Sequence, residues 1–126
     1  MAAQSRSGEA GFTVAEMLVV VLIVGLVAAL AVPSVQGALK RAEEAALRQN
    51  LAVTRRALDD HFADTATYPD TLEDLVSGRY LRFIPEDPTG PRGQGWALIE
   101  VSGGGIEDVK SRSEGTGRDG IPFREW

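Results

Sequence analysis

Between Gly11 and Pro33 the chain reads GFTVAEMLVVVLIVGLVAALAVP, and the twenty-one residues from Phe12 to Val32 are broken only by Thr13, Glu16 and Gly25. As a helix this run spans about 31 Å, which matches the hydrocarbon thickness of a bilayer. One residue fits that reading badly. Glu16 puts a carboxylate at the start of the run, and a charge at the bilayer centre costs roughly 2.5–3.5 kcal/mol even on insertion scales.

Without this run, about ninety of the 126 residues remain, enough for one small domain with a modest core. There is no cysteine, which excludes disulfides and thiolate metal sites, and the single histidine, His61, excludes a His-rich cluster. A net charge of −5 without a dense Lys/Arg patch argues against nucleic acid as a partner.

Three zones follow one another. Residues 1–11 are short, small and polar. The apolar run ends at Pro33, which lacks an N–H and crowds the preceding turn, marking a kink or boundary. Beyond it, SVQGALKRAEEAALRQNLAVTRRALDDHFAD is rich in helix formers. Its apolar residues Val35, Leu39, Ala42, Ala46, Leu47, Leu51, Leu58 and Phe62 form one slowly drifting stripe. Lys40, Arg41, Glu43, Glu44 and Arg48 fall mostly off it, with Glu44 and Arg48 at a favourable i,i+4 spacing. One helix is therefore expected to continue to about Asp64, with Pro33 and Gly37 as weak points.

Tyr68-Pro69 then ends that helix. DTLEDLVSG predicts a short second one, capped by Asp70 or Thr71 and stopped by Gly78. Pro85 to Gly95 reads as loop. WALIEV (96–101) and Ile106 to Lys110 predict a hairpin turned by Gly103-Gly104-Gly105. The tail is a loop whose Phe123 and Trp126 could anchor it on the core. The fold class is α+β: a long N-terminal helix on a small C-terminal domain with a short helix and an antiparallel hairpin.

The apolar run admits three readings. As a cleaved secretory signal it would end at Ala29-Leu30-Ala31, but its n-region holds one arginine beside Glu9 and Glu16, and its apolar run is long. As a plain anchor it leaves Glu16 without a role. The third reading rests on Gly11-Phe12-Thr13-Val14-Ala15-Glu16 before the long apolar run, which resembles the signal of type IV pilin-like proteins. That resemblance implies cleavage between Gly11 and Phe12 by a prepilin peptidase, N-methylation of Phe12, and subunit assembly through Glu16 and Pro33. The chemistry is coherent: a new ammonium on Phe12 and a carboxylate on Glu16 are each costly alone in a helix bundle, and pairing across subunits relieves both.

Further along, Tyr68-Pro69, TLEDLV, Tyr80-Leu81 and IPEDPTG (84–90), with Trp96, Asp108-Val109, Asp119-Gly120 and Trp126, resemble the major pseudopilins of type II secretion systems. Two positions depart from that pattern. Thr89 stands where the family usually has tryptophan, and the final loop is short. The longer, aspartate-rich loop in many members binds calcium. Here only Asp108, Glu114 and Asp119 could offer side-chain oxygens, and calcium wants six to eight oxygen ligands.

The resemblance implies four segments: a cleaved leader (1–11), a transmembrane and filament-core helix (12–33), its amphipathic continuation (34–65) and a periplasmic head (66–126). It also implies a single-pass inner-membrane protein that polymerises through its N-terminal helices into a periplasmic pseudopilus driving protein export. Its partners would be prepilin peptidase, minor pseudopilins, an inner-membrane assembly platform and membrane lipid, with no cofactor and no catalysis. The alternatives are a type IV pilus subunit and a signal-peptide-bearing periplasmic binding module starting near Val32. Two weaker motifs fail on context. Gly115 to Gly120 matches G-x-G-x-x-G, yet Pro122 follows and no helix can open there. Asp59, Asp60 and Asp64 around His61 read as a solvated helix face, and Arg55-Arg56 with Asp59-Asp60 make i,i+4 pairs that read as subunit-surface electrostatics.

Overall fold

A computed structural model of the chain describes Gly11 and residues 13–126. A single helix, α1 (Val14–Thr65), runs without interruption through Pro33. The chain divides into two compact units, one ending at Leu39 and one spanning Lys40–Trp126.

In the first unit every large apolar side chain from Val14 to Leu39 is exposed, Val14 and Leu30 by 78% and 80%. This stretch of α1 is long and apolar enough to cross a membrane. An apolar surface of that extent exceeds what soluble monomers leave in water.

In the second unit α1 contributes Leu47, Leu51, Ala57 and Leu58 to the core. Steps of three and four residues put Glu44, Leu47, Leu51, Thr54 and Leu58 on one face, and all five are buried. The expected stripe is therefore right at Leu47, Leu51 and Leu58 but wrong at its ends. Ala42 is exposed, and Phe62 is half-exposed and stacks on Tyr68 at 4.6 Å. Glu44, expected off the stripe, is only 6% exposed.

Helix α1 ends at Thr65, where Ala66 turns left-handed (φ 58°) and donates its N–H to the Phe62 carbonyl. Helix α2 (Leu72–Ser77) starts at Thr71, whose N–H is held by the Asp74 carboxylate at 3.0 Å. Gly78 closes it, but the left-handed residue is Arg79 (φ 65°), one place later than the glycine suggests. The N–H groups of Arg79 and Tyr80 bond the carbonyls of Val76 and Leu75, the paired pattern of a helix C-terminus.

Strands β1 (Ala97–Glu100) and β2 (Ile106–Lys110) form the expected antiparallel hairpin, one residue shorter at each end of β1. A bulge between Ile99 and Glu100 breaks the two-residue alternation, so Ile106 and Val109 can both be buried. Gly103 to Gly105 make the turn with positive φ throughout. The tail ends in a 3-10 turn, Phe123–Glu125, with Phe123 in the core and Trp126 packed edge-on against it at 4.9 Å.

Candidate functional site

The N-terminal site begins with an exposed Gly11 at φ +95°. Phe12, expected to carry cleavage and methylation, lies outside the described residues. Thr13 sits just before the helix, and its Oγ1 accepts the Glu16 N–H at 3.1 Å while its carbonyl accepts that of Met17 at 3.1 Å. Thr13 is thus an N-cap, and Thr13-Val14-Ala15-Glu16 has the T-x-x-E spacing of a capping box. This spacing is a local signal that the sequence itself displays. Glu16 stands in the first turn, where the positive end of the helix dipole favours a carboxylate. Pro33 leaves the carbonyl four residues earlier without its usual donor, yet the helix continues past it.

A second site joins the far half of α1 to the C-terminal segment through three arginines. Glu44 accepts the Arg118 backbone N–H at 2.8 Å and its Nε at 2.9 Å. The side-chain hydrogen bond from Arg118, outweighing burial, holds the Glu44 carboxyl below its ordinary range. The hydrogen-bonded partner of Glu44 is thus Arg118 rather than the expected Arg48, whose charge acts on the carboxylate only from a distance. Arg48 instead lies over the Trp126 ring at 4.6 Å and approaches Asp119 at 3.9 Å. Arg55, expected to pair along the helix with Asp59, reaches across to Asp108 at 2.8 Å. Its Nη2 also donates to the main-chain oxygens of Val109 at 3.1 Å and Trp126 at 2.7 Å. Gly117 makes the fit possible: a Cβ there would come within 2.6 Å of the Trp126 ring.

These contacts decide how well the tail suits calcium. Among the described residues no three carboxylates or histidines gather into a metal-holding group. Asp108 is bound by Arg55, Asp119 lies beside Arg48, and Glu114 is exposed on a separate stretch of loop. The donor set does not fit calcium, which needs several free oxygens converging on one point.

The IPEDPTG loop is organised by Asp87. Its Oδ1 accepts the Thr89 N–H (2.9 Å), the Thr89 hydroxyl (2.8 Å) and the Gly90 N–H (3.1 Å), and its Oδ2 accepts from Ser111 and from the Arg112 N–H. Burial pushes the Asp87 carboxyl up, but the hydrogen bonds from Ser111, Thr89 and Gly90 prevail and leave it below its usual range. Thr89 supplies the hydroxyl that serves this hub. The Trp96 Nε1 donates to the Pro85 carbonyl at 2.7 Å, and Asn50 ties α1 to the loop through the Glu86 carbonyl at 2.8 Å.

The weaker motifs resolve structurally. Thr116 and Pro122 form a bridge that closes the glycine-rich loop, and no α-helix follows. The His61 Nδ1 bonds the Thr67 carbonyl at 2.8 Å, and Asp64 accepts the Tyr80 hydroxyl at 2.8 Å, which raises the Tyr80 phenol above its ordinary pKa. His61 and Asp64 thus serve the end of α1, while Asp59 and Asp60 face solvent.

Comparison with known proteins returns one consistent set of relatives. The chain is 32% identical over 128 aligned positions to the type II secretion system core protein G of Klebsiella pneumoniae, covering 89% of this chain and 86% of that protein. The Vibrio cholerae protein of the same name is 30% identical, with 88% and 89% covered. The one from Pseudomonas aeruginosa is 34% identical, with 68% and 71% covered. No family model and no solved structure matches the chain.

Proposed function

The chain belongs to the type II secretion system core protein G family, the major pseudopilins, and from that premise we propose that it is a structural subunit polymerised into a periplasmic pseudopilus. The family is one of structural secretion components, not of enzymes. In this reading prepilin peptidase cuts between Gly11 and Phe12 and the new Phe12 terminus is methylated. The apolar half of α1 holds the subunit in the inner membrane, with the second unit in the periplasm. Extraction from the membrane then exchanges lipid for the helices of other copies. Minor pseudopilins and an inner-membrane assembly platform are the further partners.

The observation that carries this reading is the uncovered apolar length of α1, opened by Gly11 and a first-turn Glu16. A surface that needs lipid at one stage and protein at the next suits a subunit that leaves the bilayer to polymerise. The deciding experiment is an N-terminal sequence and intact mass of the mature protein. N-methyl-phenylalanine at Phe12 is expected, and a start at Val32 would overturn the proposal in favour of a cleaved secretory signal. Deleting the protein should then trap exported proteins in the periplasm. Lost surface filaments with normal export would instead indicate a type IV pilus subunit.

A further inference from the structure

We propose that Arg55 is the built-in cation of the head: its guanidinium gathers the oxygens that a bound metal would otherwise gather, so the C-terminal segment locks without calcium. The inference stands on the second unit alone and holds whether or not the subunit polymerises.

The geometry is that of a cation in a ligand shell. Arg55 Nε meets a carboxylate oxygen of Asp108 at 2.8 Å, and Nη2 meets two main-chain oxygens, Val109 at 3.1 Å and Trp126 at 2.7 Å. A carboxylate with main-chain oxygens from separate segments is a donor set that hard cations use. A guanidinium matches it because it is always charged and presents its donors in a fixed planar fork. Arg55 and Asp108 are both about two-thirds buried, with 34% and 33% of their side chains exposed, so the pair is less screened than a surface ion pair.

A neighbouring arginine supports the same role. Arg48 lies seven residues earlier, two turns back on the same face of α1, and sits over the Trp126 ring and beside Asp119. Asp108 on β2 and Asp119 in the tail, two of the three carboxylates that could offer oxygens to a metal, thus each face a cation tethered to α1. A divalent ion entering there would meet that positive charge at contact range and would have to displace it.

The test uses the full chain in detergent micelles, with thermal unfolding followed by tryptophan fluorescence. Both reporters, Trp96 and Trp126, lie in the second unit. The wild type is expected to melt at the same temperature in millimolar calcium chloride and in excess chelator. Arg55→Met, which keeps the apolar stem, should melt about 5 °C lower or more. A wild-type midpoint that rises with calcium, or an Arg55→Met midpoint equal to wild type, would overturn the proposal. Should Arg55→Met fail to fold, Asp108→Asn takes its place: a lowered, calcium-insensitive midpoint supports the built-in cation, and an unchanged one sinks it.

Discussion

Two helix ends in this chain place the wrong residue in a left-handed conformation. Ala66 follows α1 and Arg79 follows α2, each with φ near +60°, where a Cβ costs about 1 kcal/mol and glycine nothing. Gly78 stands one place too early to take this position. Ala66→Gly and Arg79→Gly are each expected to raise stability by about 0.5–1 kcal/mol, read as a higher thermal midpoint, because the strain removed outweighs the entropy glycine adds to the unfolded chain. Gly105 is the opposite case. It combines φ +97° with no room for a side chain, since a Cβ would lie 2.8 Å from the Tyr68 Cβ and 2.9 Å from the Tyr68 carbonyl oxygen. The next residue, Ile106, donates its N–H to the Pro69 carbonyl at 2.8 Å, so the Tyr68-Pro69 turn cannot simply move away. Gly105→Ala should cost about 1–3 kcal/mol in denaturant unfolding. A wild-type midpoint for that variant would mean the turn is looser than its contacts imply.

At the scale of elements, the second unit is held by an apolar face of α1 and by polar ties that cross long stretches of sequence. Leu58 is fully buried on that face, and Leu58→Ala should destabilise the unit by about 2–5 kcal/mol in chemical denaturation. The polar ties set the acid limit. Glu44 and Asp87 both titrate below their ordinary values near 4.5 and 3.8, so folding favours their ionised forms. Their contribution is complete above those ordinary values and drains as pH falls through the depressed folded ones. The melting temperature should therefore hold steady near neutrality and drop below about pH 4.5, and the gap between wild type and Glu44→Gln should narrow there. A constant gap down to pH 3 would remove Glu44 from the account. The same contrast explains what could be read in advance. The hairpin, the short capped helix and the Leu47, Leu51 and Leu58 face follow local rules of period and turn chemistry, and the sequence displays them. Glu44 with Arg118 and Arg55 with Asp108 lie 74 and 53 residues apart, while nearer helical partners at i,i+4 looked equally good. No local rule distinguishes the two choices. The tertiary fold does so by facing Glu44 into the core and setting Asp108 opposite Arg55.

For the whole molecule, Glu16 carries two explanations that the capped helix start brings into competition. One is local: with Thr13 as the cap, a carboxylate in the first turn steadies the end of α1 by about 0.3–1 kcal/mol. The other is collective and rests on the proposed processing: the charge would pair with the ammonium that cleavage creates on Phe12 of another copy, and a wrong stagger would leave both charges unpaired in an apolar bundle. The two separate on substitution. Glutamine can serve in a capping box but carries no charge, whereas alanine supports neither role. If the local account were sufficient, Glu16→Gln would assemble like wild type and only Glu16→Ala would fail. The collective account expects both variants to be cleaved and to remain in the membrane, since neither adds a charge to the span, and expects both to lose filament assembly. Processing read by mass, together with cross-linked ladders of subunits read on gels, distinguishes the outcomes. Normal ladders from Glu16→Gln would reduce the residue to a helix cap. Their loss from both variants would tie the most costly residue of the apolar run to the assembled state, where an opposite charge relieves that cost.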